Sequence, residues 1–258
     1  MTAKLLTVRL RPALVVFYRQ FLAWRPFIRN FLALSVLDPV LWMYTMGVGV
    51  MGMLHSNGNY MLFVATGMVG VVISWSVVME ALYGTMRRLE GGQWRAVLAT
   101  PASLAALIAG EAVFSATRGV IATVMVAIVG SFFVTFPQPW GLLPALGYVW
   151  LAGLALHSLC LCFTALARSH DDFDFAWPLL VNPMFFFSGA FFTLDSLPSG
   201  VKMLVHVLPL APCVDAARAL LTGTATPALL VQNAAILLAV TAVCSVVNYR
   251  IFRARMYE

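Results

Sequence analysis

The stretch Phe185-Phe-Phe-Ser-Gly-Ala-Phe-Phe192 closes the fifth of six long apolar runs in this chain. The sixth run begins only at Leu229, after a connection through Leu197-Pro198, Leu208-Pro209 and Arg218 to Gly223. Asp195, Lys202, Asp215 and Arg218 are its only full charges, too few for a water-bathed loop of that length. Two short helical patterns lie inside it. A segment this dry, with apolar runs on both sides, is expected to dip back into a bilayer as a helical hairpin, because hydrocarbon leaves no partner for unpaired backbone groups.

Composition sets the medium. The chain has 258 residues, of which 62% are hydrophobic and 10% charged. Soluble domains carry about 25% charged residues, so this composition cannot build a water-facing surface. One all-α integral membrane domain covering 1–258 is expected, since no stretch is polar enough to form a separate soluble unit. The net charge of +6 comes from basic residues crowded beside apolar runs, which marks membrane topology and not nucleic-acid binding. Cys160, Cys162, Cys213 and Cys244 read as small apolar packers. On a helix, Cys160 and Cys162 point about 200° apart, a poor metal clamp. The basic N-terminus precedes an apolar run that starts only near Phe31 and has no small-residue cleavage site after it, so no cleavable signal is expected.

Working outward, six transmembrane helices are expected, at Phe31–Leu54, Tyr60–Leu82, Leu104–Phe136, Leu142–Ala167, Phe175–Leu194 and Leu229–Phe252. Each is near or above the roughly 20 residues a bilayer requires. Thirteen Lys and Arg residues fall on one side of this arrangement, from Lys4 to Arg255, and only Lys202 and Arg218 on the other. The positive-inside rule then places both termini in the cytoplasm and the segment 195–228 outside. Residues 1–30 are basic and aromatic, with Leu14, Tyr18 and Phe21 at helical spacing before Pro26, as in an amphipathic helix lying in the interface plane.

The first cytoplasmic loop, 83–102, contains Gly91-Gly92, then Gln93 to Ala99 as two helical turns, then Thr100-Pro101 as a stop. Two readings of this short helix stand side by side. Trp94, Val97 and Leu98 suit docking to a cytosolic partner, and Trp94 with Arg95 equally suits an interfacial anchor. The turn Arg168-Ser-His-Asp-Asp-Phe-Asp174 is acidic but local, so a solvated turn is expected there and no metal site.

Ionisable residues inside spans are functional candidates by default, and Asp38, Glu80, Glu111 and Arg118 qualify. Glu111 and Arg118 are seven residues apart on one helix face and are expected to form an intramembrane ion pair. All four lie near span ends, which argues against a proton relay at mid-membrane depth. His157 reads as a packed core residue. Gly47-Val-Gly-Val-Met-Gly52 has the spacing of a dinucleotide fingerprint but sits inside a span and not at a strand-to-helix turn. The two lysines, Lys4 and Lys202, are followed by Leu5 and Met203, so the Gly-Lys-Ser/Thr of a P-loop is missing and the chain is expected to be no enzyme.

These parts resemble one family. The supporting stretches are Asp38-Pro39 through Gly52, Glu90 to Pro101, Phe185 to Pro198, and Leu208-Pro209 through Asp215, Arg218 and Gly223. On them the chain resembles the permease subunits of type-2 ATP-binding-cassette exporters, most nearly those that export lipo-oligosaccharide nodulation factors. The resemblance implies that Gln93 to Ala99 is a coupling helix seated in a groove of a separate ATPase. Two ATPase copies would bind ATP and Mg²⁺ beneath a permease homodimer in a bacterial inner membrane, and no cofactor is implied for this chain. It implies an external re-entrant hairpin acting as a gate, with Pro198, Pro209, Asp215 and Arg218 as its candidate residues. Trp42, Tyr44, Trp75, Ser188 and Phe191 are the candidates for lining the path of an amphipathic, lipid-linked substrate. The alternatives are a family member that exports hydrophobic drugs or natural products and, outside the family, a self-contained secondary transporter. The connection after Leu54, His-Ser-Asn-Gly-Asn, leaves no room for a large external domain.

Overall fold

A computed structural model describes residues 2–49, 59–167, 172–173, 177–194 and 198–257. Every regular element among them is helical. Helix α1 spans Thr2–Trp24, a 3₁₀ turn follows at Arg25–Phe27, and α2, Ile28–Trp42, continues as a π-helical stretch through Met43–Gly49. Next come α3 (Asn59–Val71), α4 (Ile73–Met79), a π-helical stretch at Glu80–Gly84, α5 (Thr85–Glu90) and the short α6 (Gln93–Leu98). The remaining helices are α7 (Leu104–Phe133), α8 (Leu142–Leu166), α9 (Asn182–Phe186) after a third π-helical stretch at Trp177–Val181, α10 (Ser199–Val207), α11 (Leu210–Thr222) and α12 (Pro227–Tyr257).

Four of these rods are long and apolar enough to cross a bilayer: Tyr60–Glu90, Leu104–Phe133, Pro139–Leu166 and Pro227–Met256. The expected first span, Phe31–Leu54, is helical as far as Gly49 and then leaves the described residues. The expected fifth span, Phe175–Leu194, is not one long helix. Its described part is helical only over Trp177–Phe186 and then turns back on itself. The Phe187 amide donates to the Pro183 carbonyl at 2.9 Å, and the Ser188 hydroxyl donates to the Phe185 carbonyl at 2.7 Å. Those bonds close the helix end, so the Phe-rich stretch ends in turns instead of continuing as a rod.

Helix α7 begins where Ser103, in extended backbone, accepts a hydrogen bond from the Ala106 amide at 3.2 Å. It runs without proline until Val134 returns to extended backbone. Side-chain size sets how closely it meets α8. A Cβ at Gly153 would lie 2.9 Å from the Ala116 Cα, a distance that only glycine permits. Small residues at such crossings let helix backbones approach within a membrane, where packing and not water expulsion drives association. Helix α12 is tied to α8 by polar bonds at intervals: Tyr148 to the Leu230 carbonyl at 3.0 Å, and Asn248 to the Ser158 carbonyl at 2.7 Å. At its end, Arg255 Nη1 donates to the Thr164, Ala165 and Ala167 carbonyls, at 3.1 to 3.4 Å. A cation there satisfies the last carbonyls of α8 and complements its dipole.

Helices α10 and α11 form the two short helices expected between Leu197 and Gly223, and α11 packs with a buried face against α3 and α8. Gly153→Leu should be poorly tolerated, because the added side chain would have to separate α7 from α8. The expected result is a loss of about 3 kcal/mol or more, seen as reduced recovery of monodisperse protein in detergent and earlier thermal unfolding. Native-like recovery and melting would contradict the close crossing.

Candidate functional site

The most polar buried region lies where α1, α4, α5, α6 and α7 meet. The chain reaches it through a sharp turn. Helix α5 stops at Glu90, the Gly91 and Gly92 amides bond back to Arg87 and Leu89, and Gly92 takes φ +70°. That left-handed backbone is open to glycine at little cost and starts α6 in a new direction. The Thr100 hydroxyl then donates to the Val97 carbonyl at 2.6 Å, and Pro101 prevents continuation.

Trp94 has no exposed surface. Its ring packs on Phe252 of α12 at 4.7 Å between centroids, and its indole N–H donates to Glu111 Oε1 at 3.0 Å. The indole therefore fastens α6 to the helix bundle. Gln93, Arg95 and Ala96 carry the exposed face of α6, while Val97 and Leu98 are half-buried against the cluster that includes Val16, Leu107 and Phe252.

Glu111, 1% exposed, is the hub. Its Oε1 accepts from Gln20 Nε2 at 2.9 Å, from Arg88 Nε at 2.9 Å and from Trp94; its Oε2 accepts from the Thr85 hydroxyl at 3.1 Å. Arg88 also donates through Nη1 to Glu80 Oε1 at 2.6 Å, and Arg118 donates to Glu80 Oε2 at 2.5 Å. The Arg118 guanidinium lies 4.7 Å from the Phe31 ring centroid and 5.8 Å from that of Trp24, which brings α1 and α2 to the same cluster. Two acids and two arginines thus close a neutral chain, Glu111–Arg88–Glu80–Arg118, with the Gln20, Thr85 and Trp94 donors and the Phe31 and Trp24 rings around it.

The expected Glu111–Arg118 pair is corrected here. Seven residues of helix separate their Cα atoms by about 10 Å, and each finds a closer partner on another element. Arg118 reaches Glu80, and Glu111 takes Arg88. Arg88 was the residue that sequence reasoning missed, since it reads as a loop charge just before Gly91-Gly92. The available signal was the apolar run itself, whose helical register carries on through Arg87 and Arg88 to Glu90.

The aromatic candidates divide. Trp42 and Trp75 line a cleft of about 330 Å³ between α2, α3–α4 and the Trp177–Phe186 segment, with Asp38, Asn182 and Phe185 among its walls. Trp75 meets Trp177 edge-on at 4.9 Å. Phe191 stands behind the wall, 5.6 Å from Trp42 and 5.4 Å from Phe185. Ser188 is buried and bonded within its own turn, and Tyr44 is exposed away from the cleft.

Of the candidate gate residues, Arg218 is the most engaged. It donates to the Phe63 carbonyl at 3.2 Å and the Gly189 carbonyl at 2.9 Å, with its guanidinium 3.7 Å from the Phe63 ring centroid. One side chain therefore ties α11 to α3 and to the turn of the Phe-rich stretch. Asp215 faces His206 at 3.8 Å, Pro209 starts α11, and Pro198 is exposed. His157 is fully buried within α8. Apart from Asp172, the acidic cluster His170–Asp174 is outside the described residues, apart also from Phe173 between them.

A strongly apolar chain whose described elements are all helical, with a short surface helix bonded into a buried charge cluster, is organised as a membrane transporter subunit. The chain belongs to the ABC-2 type transporter family, whose model matches residues 13–222. It is therefore an integral membrane permease of that family, the transmembrane and not the catalytic component. Among curated relatives it is 30% identical to Nodulation protein J of Rhizobium meliloti (strain 1021) over 215 residues, 82% of this chain and 81% of the relative. Nodulation protein J of Rhizobium leguminosarum bv. viciae is 32% identical over 213 residues, covering 81% and 82%. That of Bradyrhizobium diazoefficiens is 30% identical over 207 residues, covering 79% and 78%.

Removing Glu111 would leave Arg88 with Glu80 alone and take the acceptor from Gln20, Thr85 and Trp94. Glu111→Ala should cost about 3 kcal/mol and Glu111→Gln distinctly less, since an amide oxygen still accepts. Thermal unfolding of the two variants in detergent checks the order; equal melting of Glu111→Ala and the native protein would remove the cluster's structural role. Arg218→Leu should loosen the α11 attachment, giving faster hydrogen exchange across Leu210–Thr222 while the amides of α7 stay protected.

Proposed function

We propose that this chain is the membrane-spanning subunit of an ATP-driven exporter that moves an amphipathic, lipid-linked or lipo-oligosaccharide molecule outward across a bacterial inner membrane. Two copies would surround the path, and two ATPase subunits would bind and hydrolyse ATP with Mg²⁺ beneath them. Family membership implies an ATPase of the same transporter class as partner. The likeness to proteins named for nodulation is what favours a lipo-oligosaccharide over a drug.

The observation that carries the reading is the bond from Trp94 to Glu111. In this proposal α6 is the coupling helix and presents Gln93, Arg95 and Ala96 to the ATPase. When ATP binding draws two ATPases together, a displacement of α6 cannot be absorbed locally, because Trp94 is buried and bonded. It passes to Glu111, and from there to α1 through Gln20 and to α5 through Arg88 and Thr85. A ligand shifts a conformational equilibrium only by as much as it prefers one state, so the connection must stay stiff for ATPase closure to bias the spans. The cleft at Trp42 and Trp75 offers stacking faces for sugar rings beside Asp38 and Asn182, and an amide and a carboxylate lower the cost of taking a polar headgroup out of water. The Arg218 tie then belongs to an outer closure that must loosen for release.

Reconstitution in liposomes with an ATP-binding-cassette ATPase that copurifies with this chain tests this. ATP hydrolysis should rise with an acylated oligosaccharide and stay unchanged with a hydrophobic cation of similar size; the reverse pattern would favour drug export. Transport by this chain alone, without any ATPase, would sink the exporter reading altogether. Trp94→Phe keeps the ring against Phe252 and deletes the indole donor. Complex recovery should remain near native while substrate moved per ATP hydrolysed falls several-fold, because a net hydrogen bond of about 1 kcal/mol is lost. Unchanged coupling in that variant would place transmission elsewhere.

A further inference from the structure

A groove of about 530 Å³ runs between α7, α8 and α12, away from both the charge cluster and the aromatic cleft. Its floor is made of small or apolar side chains, including Ala105, Ala109, Val113, Leu154 and Val246, with the Ser158, Thr241 and Ser245 hydroxyls beside them. Those hydroxyls are already occupied: Ser158 and Ser245 meet at 3.4 Å, and Thr241 donates to the Leu237 carbonyl at 2.7 Å. The groove interior is thus satisfied and apolar. Its size falls within the roughly 300–1,000 Å³ of small-molecule sites.

One end differs. Tyr249, Arg250 and Arg253 line it, no Asp or Glu does, and the two arginines are exposed. Three residues apart on α12, they share a helix face. Arg250 and Arg253 form no ion pair or hydrogen bond among the described residues, in contrast to Arg255, which is committed to the α8 carbonyls. An apolar trough beside the weakly buried α12, ending in two exposed guanidinium groups and a phenol, suits an anionic amphiphile.

We propose that this groove holds one anionic phospholipid of the leaflet on the Lys- and Arg-rich side, with an acyl chain along α7 and its phosphate on Arg250 and Arg253. Guanidinium pairs hold phosphate oxygens through charge-assisted, often bidentate bonds. Tyr249, beside the two arginines, is of the amphipathic type that favours the bilayer interface. The site requires only that the chain spans a bilayer, so it stands or falls independently of the exported substrate. The occupant would brace α12, the least buried of the four long helices, against α7 and α8.

Native mass spectrometry of the detergent-purified full chain, mixed with equal amounts of acyl-matched phosphatidylglycerol and phosphatidylcholine, tests the proposal. The native protein should retain one phosphatidylglycerol in preference, and Arg250→Gln/Arg253→Gln should reduce that preference roughly tenfold. Ala109→Trp fills the trough while leaving both arginines and the topology untouched, and should lower retention of both lipids. Equal retention of the two lipids by native protein, or a preference that survives both variants, would overturn the site and leave ordinary annular lipid. A bifunctional thiol cross-link joining two copies at Val246→Cys, absent from the native protein, would mean that a second chain covers the groove and would equally overturn it.

Discussion

The Glu111 carboxylate sets the terms for the rest of the molecule. It is buried in an apolar bundle, where an unpaired carboxylate would be intolerable, and it is made tolerable by four donors from three separate helices: Gln20, Thr85 with Arg88, and Trp94. Each donor fixes an element. Gln20 holds α1 against α7, Thr85 and Arg88 hold α5, and Trp94 holds α6. Arg88 then passes the constraint to Glu80, and Glu80 to Arg118, whose guanidinium faces Phe31. A satisfied polar network of this kind stiffens the elements it joins, here α1, α5, α6 and α7.

The second constraint is steric. At Gly153 the α7–α8 crossing is close enough to exclude any side chain, while at the other end of α8 the Arg255 guanidinium closes the last carbonyls. Between these points α8 is nearly fixed. Motion in such a bundle is therefore expected at the elements that are less regular: the turn after Phe186, the short helices α10 and α11, and the π-helical stretches. Of these, the stretch Trp177–Val181, the turn after Phe186 and α11 adjoin the aromatic cleft or carry the Arg218 tie.

Much of this architecture was legible in the residues. Uninterrupted apolar runs gave the four long helices, Gly91-Gly92 with Thr100-Pro101 framed α6, and the dry connection before Leu229 did contain two short helices. Partner choice was not legible. Glu111 and Arg118 share a helix face, and nothing in that spacing reveals that Glu80 and Arg88 lie closer in space, because helix-to-helix distances depend on crossings such as Gly153 against Ala116. Trp94 reads equally as a surface anchor or a docking residue; only the position of Phe252, more than a hundred and fifty residues away, shows its ring to be enclosed. The Phe-rich stretch misled for the opposite reason. Its hydropathy suits a span, but hydropathy is blind to the Ser188 hydroxyl that closes the helix at the Phe185 carbonyl.

The π-helical stretch Glu80–Gly84 interrupts one continuous rod from Tyr60 to Glu90. A wider turn of this kind holds one more residue than an α-turn, so it works as a phase slip. The apolar face before it and the charged face after it are set at angles that a uniform helix could not combine. Relaxing that stretch to ordinary α-helix would rotate everything beyond it by about 100°, carrying Arg88 away from both carboxylates at once. The rod therefore behaves as two rotors on one axle, and the charge cluster is the latch that sets their relative angle.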